Sequence, residues 1–126
     1  MMTPEPTLYE RVGGRAFFVT LIERFYESVA ADPVLRPIYP EDLEPPKAHL
    51  AGFLAQYWGG PPQYTAERGH PRLRMRHAPF AIGREERDVW VRHMRAALES
   101  MDVSPEDAAP LAEYFEDTAT FLINRP

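Results

Sequence analysis

The sequence predicts an all-α protein, and three observations carry that prediction. Apolar residues recur at three- and four-residue spacing over long stretches. Pro residues and Gly-Gly pairs stand mainly where those stretches stop. The one short alternating run, Arg72-Leu73-Arg74-Met75-Arg76, has no second strand elsewhere to pair with. A chain of 126 residues suits one domain spanning 1–126, with 1–6 expected as a flexible tail.

The first element is a short helix over 7–12, with Thr7 as N-cap and Glu10 three residues on completing a capping box. Gly13-Gly14 ends it. Over 15–30 the apolar residues Phe18, Leu21, Ile22, Phe25 and Val29 form one stripe of an amphipathic helix. Asp32-Pro33 reads as an N-cap followed by Pro at the first helical position, opening a short turn that Pro37 and Pro40 stop, with Tyr39 in the resulting corner. Asp42 or Glu44 before Pro45-Pro46 opens the next helix, whose face is Leu50, Phe53, Leu54 and Tyr57 and whose end is near Trp58.

Residues 61–69 show no sustained period and are expected to form an ordered loop. Residues 71–78 make at most two helical turns, because Pro71 suits the first position and Pro79 forbids continuation. Leu73 and His77 are four apart there, which turns His77 inward. Residues 85–101 form a long helix with Trp90, Met94, Ala97, Leu98 and Met101 on one stripe. Ser104-Pro105-Glu106-Asp107 starts the last helix, expected to run to about Asn124 with Leu111, Tyr114, Phe115, Thr118 and Leu122 inside and Pro110 as a source of distortion.

Composition removes several chemistries. With no Cys, disulfides, thiolate metal sites, iron–sulfur clusters and Cys nucleophiles are excluded. The 14 Lys+Arg against 19 Asp+Glu give a net charge of -5, which argues against nucleic acid or an anionic membrane as partner. The longest uncharged stretch, 50–66, contains Gly52, Gly59, Gly60, Pro61 and Pro62 and cannot span a bilayer. The first ten residues lack the basic and apolar regions of a secretory signal, so a cytoplasmic location is expected.

The four histidines, His49, His70, His77 and His93, show no HExxH spacing, so no zinc-protease site is expected. Taken alone, an inward His77 reads more often as a hydrogen-bonded core residue than as a metal ligand. Its company changes the reading. Tyr26, Tyr39 and Trp90 lie on or beside apolar stripes, and such aromatics bury well when their O–H or N–H finds a partner. One inward His and three polar-tipped aromatics together describe a pocket for a planar apolar cofactor; haem fits, since a single His can hold its iron and leave the opposite position open.

At that point the sequence resembles the truncated haemoglobins, and within them group II. The resemblance rests on Gly13-Gly14, Arg24-Phe25-Tyr26, the corner from Asp32 to Pro40, Phe53 followed by Gln56-Tyr57-Trp58-Gly59-Gly60-Pro61, the stretch from Arg68 to Phe80, and Trp90 thirteen residues after His77. It implies a globin-like two-over-two helical sandwich enclosing haem b, with His77 as proximal iron ligand and Nδ1–H given to a backbone carbonyl. It implies distal donors at Tyr26, Tyr39 and Trp90, and apolar walls from Leu50, Phe53 and Leu54. The arginine-rich stretch then reads as the haem's surroundings, with Arg74 or Arg76, His70, Tyr64 and His49 as candidates for the propionates, and Met75 and Phe80 beside them. Most of the other arginines are expected to be solvated and His93 to be structural. Pro46 stands where the group carries a small residue at the distal gate.

Three functions follow as alternatives. The first is reversible binding of oxygen, carbon monoxide or nitric oxide. The second is haem-dependent redox catalysis, peroxidase-like or nitric oxide detoxifying, with a reductase as partner. The third is a cofactor-free helical interaction module. Monomer and homodimer both remain open.

Overall fold

The computed structural model describes residues 5–125, which are helical throughout apart from connections. The elements are α1 (Leu8–Val12), α2 (Arg15–Ala31), a 3₁₀ turn (Arg36–Ile38), α3 (Glu44–Tyr57), α4 (Gln63–Arg68), α5 (Leu73–His77), α6 (Arg84–Glu99) and α7 (Pro105–Phe121). Helix α2 packs on α3 and α6 packs on α7, and a contact between α2 and α6 joins the pairs into the two-over-two arrangement.

The core sits where these four helices meet. Phe18, Leu21, Ile22, Phe25 and Val29 of α2 are buried with Leu54 of α3, Met94 and Leu98 of α6, and Leu111 and Phe115 of α7. Each such side chain contributes roughly 1.5–3 kcal/mol by leaving water. The helical stripes read from the sequence are therefore the surfaces that pack.

Helix α1 is tied to the end of α3. Thr7 Oγ1 accepts from the Glu10 N–H at 3.2 Å, and the Thr7 hydroxyl is 3.3 Å from the Glu10 carboxylate. Tyr9 N–H donates to the Trp58 carbonyl at 3.0 Å. This close approach explains the second Gly pair. A Cβ on Gly59 would meet Thr7 Cβ at 2.5 Å, and one on Gly60 would meet the Ala55 carbonyl oxygen at 2.7 Å.

The structure departs from expectation at several points. The loop expected over 61–69 contains α4, six residues that are too few to show a period. Its anchor is tertiary: Gln56 Oε1 accepts from Thr65 N–H at 2.8 Å while Gln56 Nε2 donates to Thr65 Oγ1 at 2.6 Å. Pro71 lies outside α5, whose N-cap is Arg72 at φ 47°, in the left-handed region. Helix α7 continues through Pro110 but stops at Phe121 and not near Asn124, because Asn124 turns away to pair with Ile82. On its inner face Ala119 is buried, where the sequence pointed to the half-buried Thr118. Of the expected tail, residues 1–4 lie outside the described residues; Glu5 and Pro6 are exposed, and the Pro6 carbonyl accepts from Arg11 at 2.8 Å.

Candidate functional site

Three polar-tipped aromatics gather at the edge of the core. Tyr26 is buried on α2, Tyr39 follows the 3₁₀ turn, and Trp90 is half-buried on α6. The Tyr26 and Tyr39 rings meet edge to face at 5.4 Å, and Phe25 touches Tyr26 at 5.2 Å and Trp90 at 5.1 Å. Burial pushes the Tyr26 phenol far above its ordinary range, and Tyr39 beside it adds to the rise. Burial also pushes Tyr39 up to about 12, although the neighbouring Trp90 and Tyr26 pull the other way. Two phenol hydroxyls and an indole N–H thus lie within one cluster.

The corner carrying Tyr39 is held from both ends. Asp32 Oδ1 accepts from the N–H groups of Val34 at 2.8 Å and Leu35 at 3.1 Å, while Oδ2 accepts from His93 Nε2 at 2.7 Å. The His93 hydrogen bond is the main reason the Asp32 carboxyl stays below its usual range. The Arg36 guanidinium donates to the carbonyls of Tyr39 at 3.2 Å, Pro40 at 3.0 Å and Glu41 at 2.9 Å. His93 thus ties α6, one turn beyond Trp90, to the turn that leads to Tyr39.

His77 ends α5. Its Nδ1 lies 2.7 Å from the Leu73 carbonyl oxygen, one helical turn back. A carbonyl only accepts, so Nδ1 carries the hydrogen and the neutral ring keeps its lone pair on Nε2. That is the tautomer a metal-binding imidazole needs. Helix α5 buries none of its side chains, and Met75 is 60% and Phe80 39% exposed.

Beside it a basic cluster joins α3, α4 and α5. Arg68 Nη1 donates to His49 Nε2 at 2.9 Å, and the Arg68 guanidinium lies 5.9 Å from the Tyr64 ring centroid. Tyr64 packs on Phe53 at 5.4 Å. Burial first, then the charges of Arg68 and Arg76, hold His49 below the ordinary His range. Arg68 Nε is buried with no hydrogen-bond partner. An orphaned guanidinium N–H beside a neutral histidine is incomplete without an acceptor. A flat apolar macrocycle bearing carboxylates fits this donor set and the exposed Met75 and Phe80.

The structure therefore brings Tyr26, Tyr39 and Trp90 into one cluster, and His49, Phe53 and Tyr64 into another. Leu50 and Phe53 are half-buried, whereas Leu54 is fully inside the core. Arg76 is spent on backbone carbonyls, Pro71 at 2.8 Å and Arg68 at 3.3 Å; Arg74 lies 5.1 Å from the Phe121 ring centroid; His70 Nδ1 accepts from the Arg72 N–H at 3.1 Å. Arg68, not among the residues expected at the site, is half-buried and central to the second cluster. Its signal was the Tyr64–Arg68 spacing of one helical turn, invisible while 61–69 reads as a loop. The grooves lined by Leu98, Met101 and Val103 and by Val19, Ile22 and Lys47 hold none of these residues.

The model of the bacterial-like globin family matches residues 7–124. A group 2 truncated hemoglobin of Bacillus subtilis is 41% identical over 93% of this chain and 88% of its own length. The chain belongs to the group II truncated haemoglobins. A hemoglobin structure from Chloroflexus aurantiacus superposes with a TM-score of 0.94 at 51% identity, covering 96% of this chain and 100% of the other. A thermostable hemoglobin from Thermobifida fusca gives 0.93 at 53% identity, covering 96% and 99%. As a truncated haemoglobin the chain is a haem-binding globin, and diatomic ligands are the class its family takes.

Proposed function

We propose that this truncated haemoglobin holds haem b through His77 Nε2 and binds a diatomic ligand on the opposite side, with Tyr26, Tyr39 and Trp90 as donors. The observation that carries this reading is the Leu73 carbonyl at 2.7 Å from His77 Nδ1, which leaves Nε2 as the unprotonated nitrogen. A chain without Cys cannot form the thioether links of c-type haem, which favours haem b. When bound, haem supplies an iron centre at which a diatomic molecule coordinates. Tyr26 and Tyr39 stay neutral at physiological pH and so keep O–H groups that can stabilise negative charge developing on a ligand. Arg68 Nε and His49 are the groups we assign to the propionate end, with Arg76 and Tyr64 supporting them.

The experiment is an absorption spectrum of protein reconstituted with haem, oxidised, reduced and with carbon monoxide, beside His77→Ala. A stoichiometric Soret band that shifts with carbon monoxide and is lost in the variant is expected. An unchanged spectrum in His77→Ala would overturn the assignment. A relative from Bacillus subtilis is described as oxygen-avid, which agrees with a donor-rich distal side. Cytoplasmic residence is part of the proposal; among the described residues no helix is long and apolar enough to cross a membrane.

One observation favours a second, redox reading. Aromatic contacts run from Trp90 to Phe115 at 6.1 Å, on to Tyr114 at 6.0 Å and to the exposed Tyr57 at 4.3 Å. Sustained peroxide turnover with a reductant, slowed in Tyr114→Phe, would favour catalysis; bleaching without turnover would favour binding alone.

A further inference from the structure

We infer that Asn124 is a positioning residue for His77, fixing the C-terminal end of α5 against the body of the protein. Asn124 Nδ2 donates to the carbonyls of Phe80 at 2.9 Å and of His77 itself at 3.3 Å. Its Oδ1 accepts from the Ile82 N–H at 2.9 Å, and its own N–H donates to the Ile82 carbonyl at 2.8 Å. Four hydrogen bonds from one residue thus gather 77–82 onto the chain that leaves α7.

This matters because α5 has little else to locate it. Its side chains are not buried, and it is absent from the helix pairs that pack closely. At its start Arg76 binds the carbonyls of Pro71 and Arg68, and Leu73 fixes the rotation of the His77 ring. Its end presents carbonyls that no further helical turn satisfies. The Phe80 N–H takes the His77 carbonyl at 3.0 Å, which closes the turn locally. Among the described residues Asn124 alone reaches that carbonyl from outside, from just beyond the helix whose Leu111 and Phe115 are core residues. The ligand nitrogen is thereby referenced to α7 as well as to its own helix, and partners of this kind orient a metal-binding imidazole.

The inference rests on His77 being the iron ligand. The test uses the haem-loaded, ferrous, unligated protein and compares Asn124→Asp and Asn124→Ala with Ser104→Ala, which weakens the N-cap of α7 far along that helix. Asn124→Asp keeps an oxygen for the Ile82 N–H and removes the donor to His77 and Phe80, so it isolates the positioning contact even if Asn124→Ala folds poorly. The readouts are the iron–histidine stretching band, the rate of haem transfer to apomyoglobin, and Tm. Asn124→Asp is expected to shift the band and speed haem loss roughly tenfold, the effect of about two modest hydrogen bonds. Ser104→Ala is expected to lower Tm with the band in place. A lowered Tm in Asn124→Asp with an unmoved band and unchanged haem loss would reduce Asn124 to a structural cap and overturn the inference. A band that persists in His77→Ala would remove its premise, an outcome distinct from loss of the band in His77→Ala with no change in Asn124→Asp.

Discussion

Tyr26, Tyr39 and Trp90 stand on or beside elements whose other side chains make the core, whereas His77 stands on five residues that bury nothing. Phe25 at zero exposure touches both Tyr26 and Trp90, so the proposed distal donors are placed by the packing that also folds the protein. Around His77, Arg72 is left-handed, Arg76 binds backbone carbonyls, and Asn124 ties the end of α5. The difference teaches that the aromatic cluster is preformed, while the surroundings of His77 are assembled from polar contacts and leave the apolar side chains of Met75 and Phe80 exposed.

The contrast is broken most forcefully at Phe25. Phe25→Ala is expected to destabilise the fold by about 3–5 kcal/mol, read by denaturant unfolding. An unaltered midpoint would mean that the distal cluster does not depend on the core.

Alkaline unfolding probes the same side. Tyr26 and Tyr39 have pKa values raised above the ordinary 10.0, so the fold favours their neutral forms. Their contribution is whole below pH 10 and is lost as pH rises through about 12, the value to which Tyr39 is pushed. A loss on the order of 2 kcal/mol is expected over that window, with a flatter Tm profile in Tyr26→Phe.

Tyr39→Phe removes one of the three proposed distal donors and is expected to speed ligand release roughly tenfold, about 1.4 kcal/mol, in stopped-flow displacement of oxygen by carbon monoxide. Equal release rates would move the donor role to Tyr26 or Trp90.

The smallest effect sharpens the other half of the comparison. Met75→Ala is expected to leave stability of the haem-free protein within about 0.5 kcal/mol, since the side chain is 60% exposed, yet to hasten haem loss. A large loss in the haem-free protein would show that α5 is packed by the fold itself.

Reading residues against structure, the long helices were legible because each carries four or more apolar residues at helical spacing, and their stripes are the buried faces of α2, α6 and α7. His77 was legible for a local reason, since Leu73 lies one turn back and a helix places its carbonyl within reach of Nδ1. Arg68 was not, because α4 is too short for periodicity and is anchored by Gln56 from another helix. Asn124 reads from the sequence as the end of α7; its side-chain partners lie 42–47 positions earlier, beyond any local pattern.

The sequence by itself determined the long helices, the caps at Thr7 and Ser104 and the exclusion of thiolate chemistry, because spacing, Pro, Gly and the absence of Cys act locally or by composition. The tertiary structure decided which arginine faces His49, what anchors α4, and what holds the end of α5. Those depend on hydrogen bonds between segments far apart in the chain, and their geometry exists only once the helices have packed.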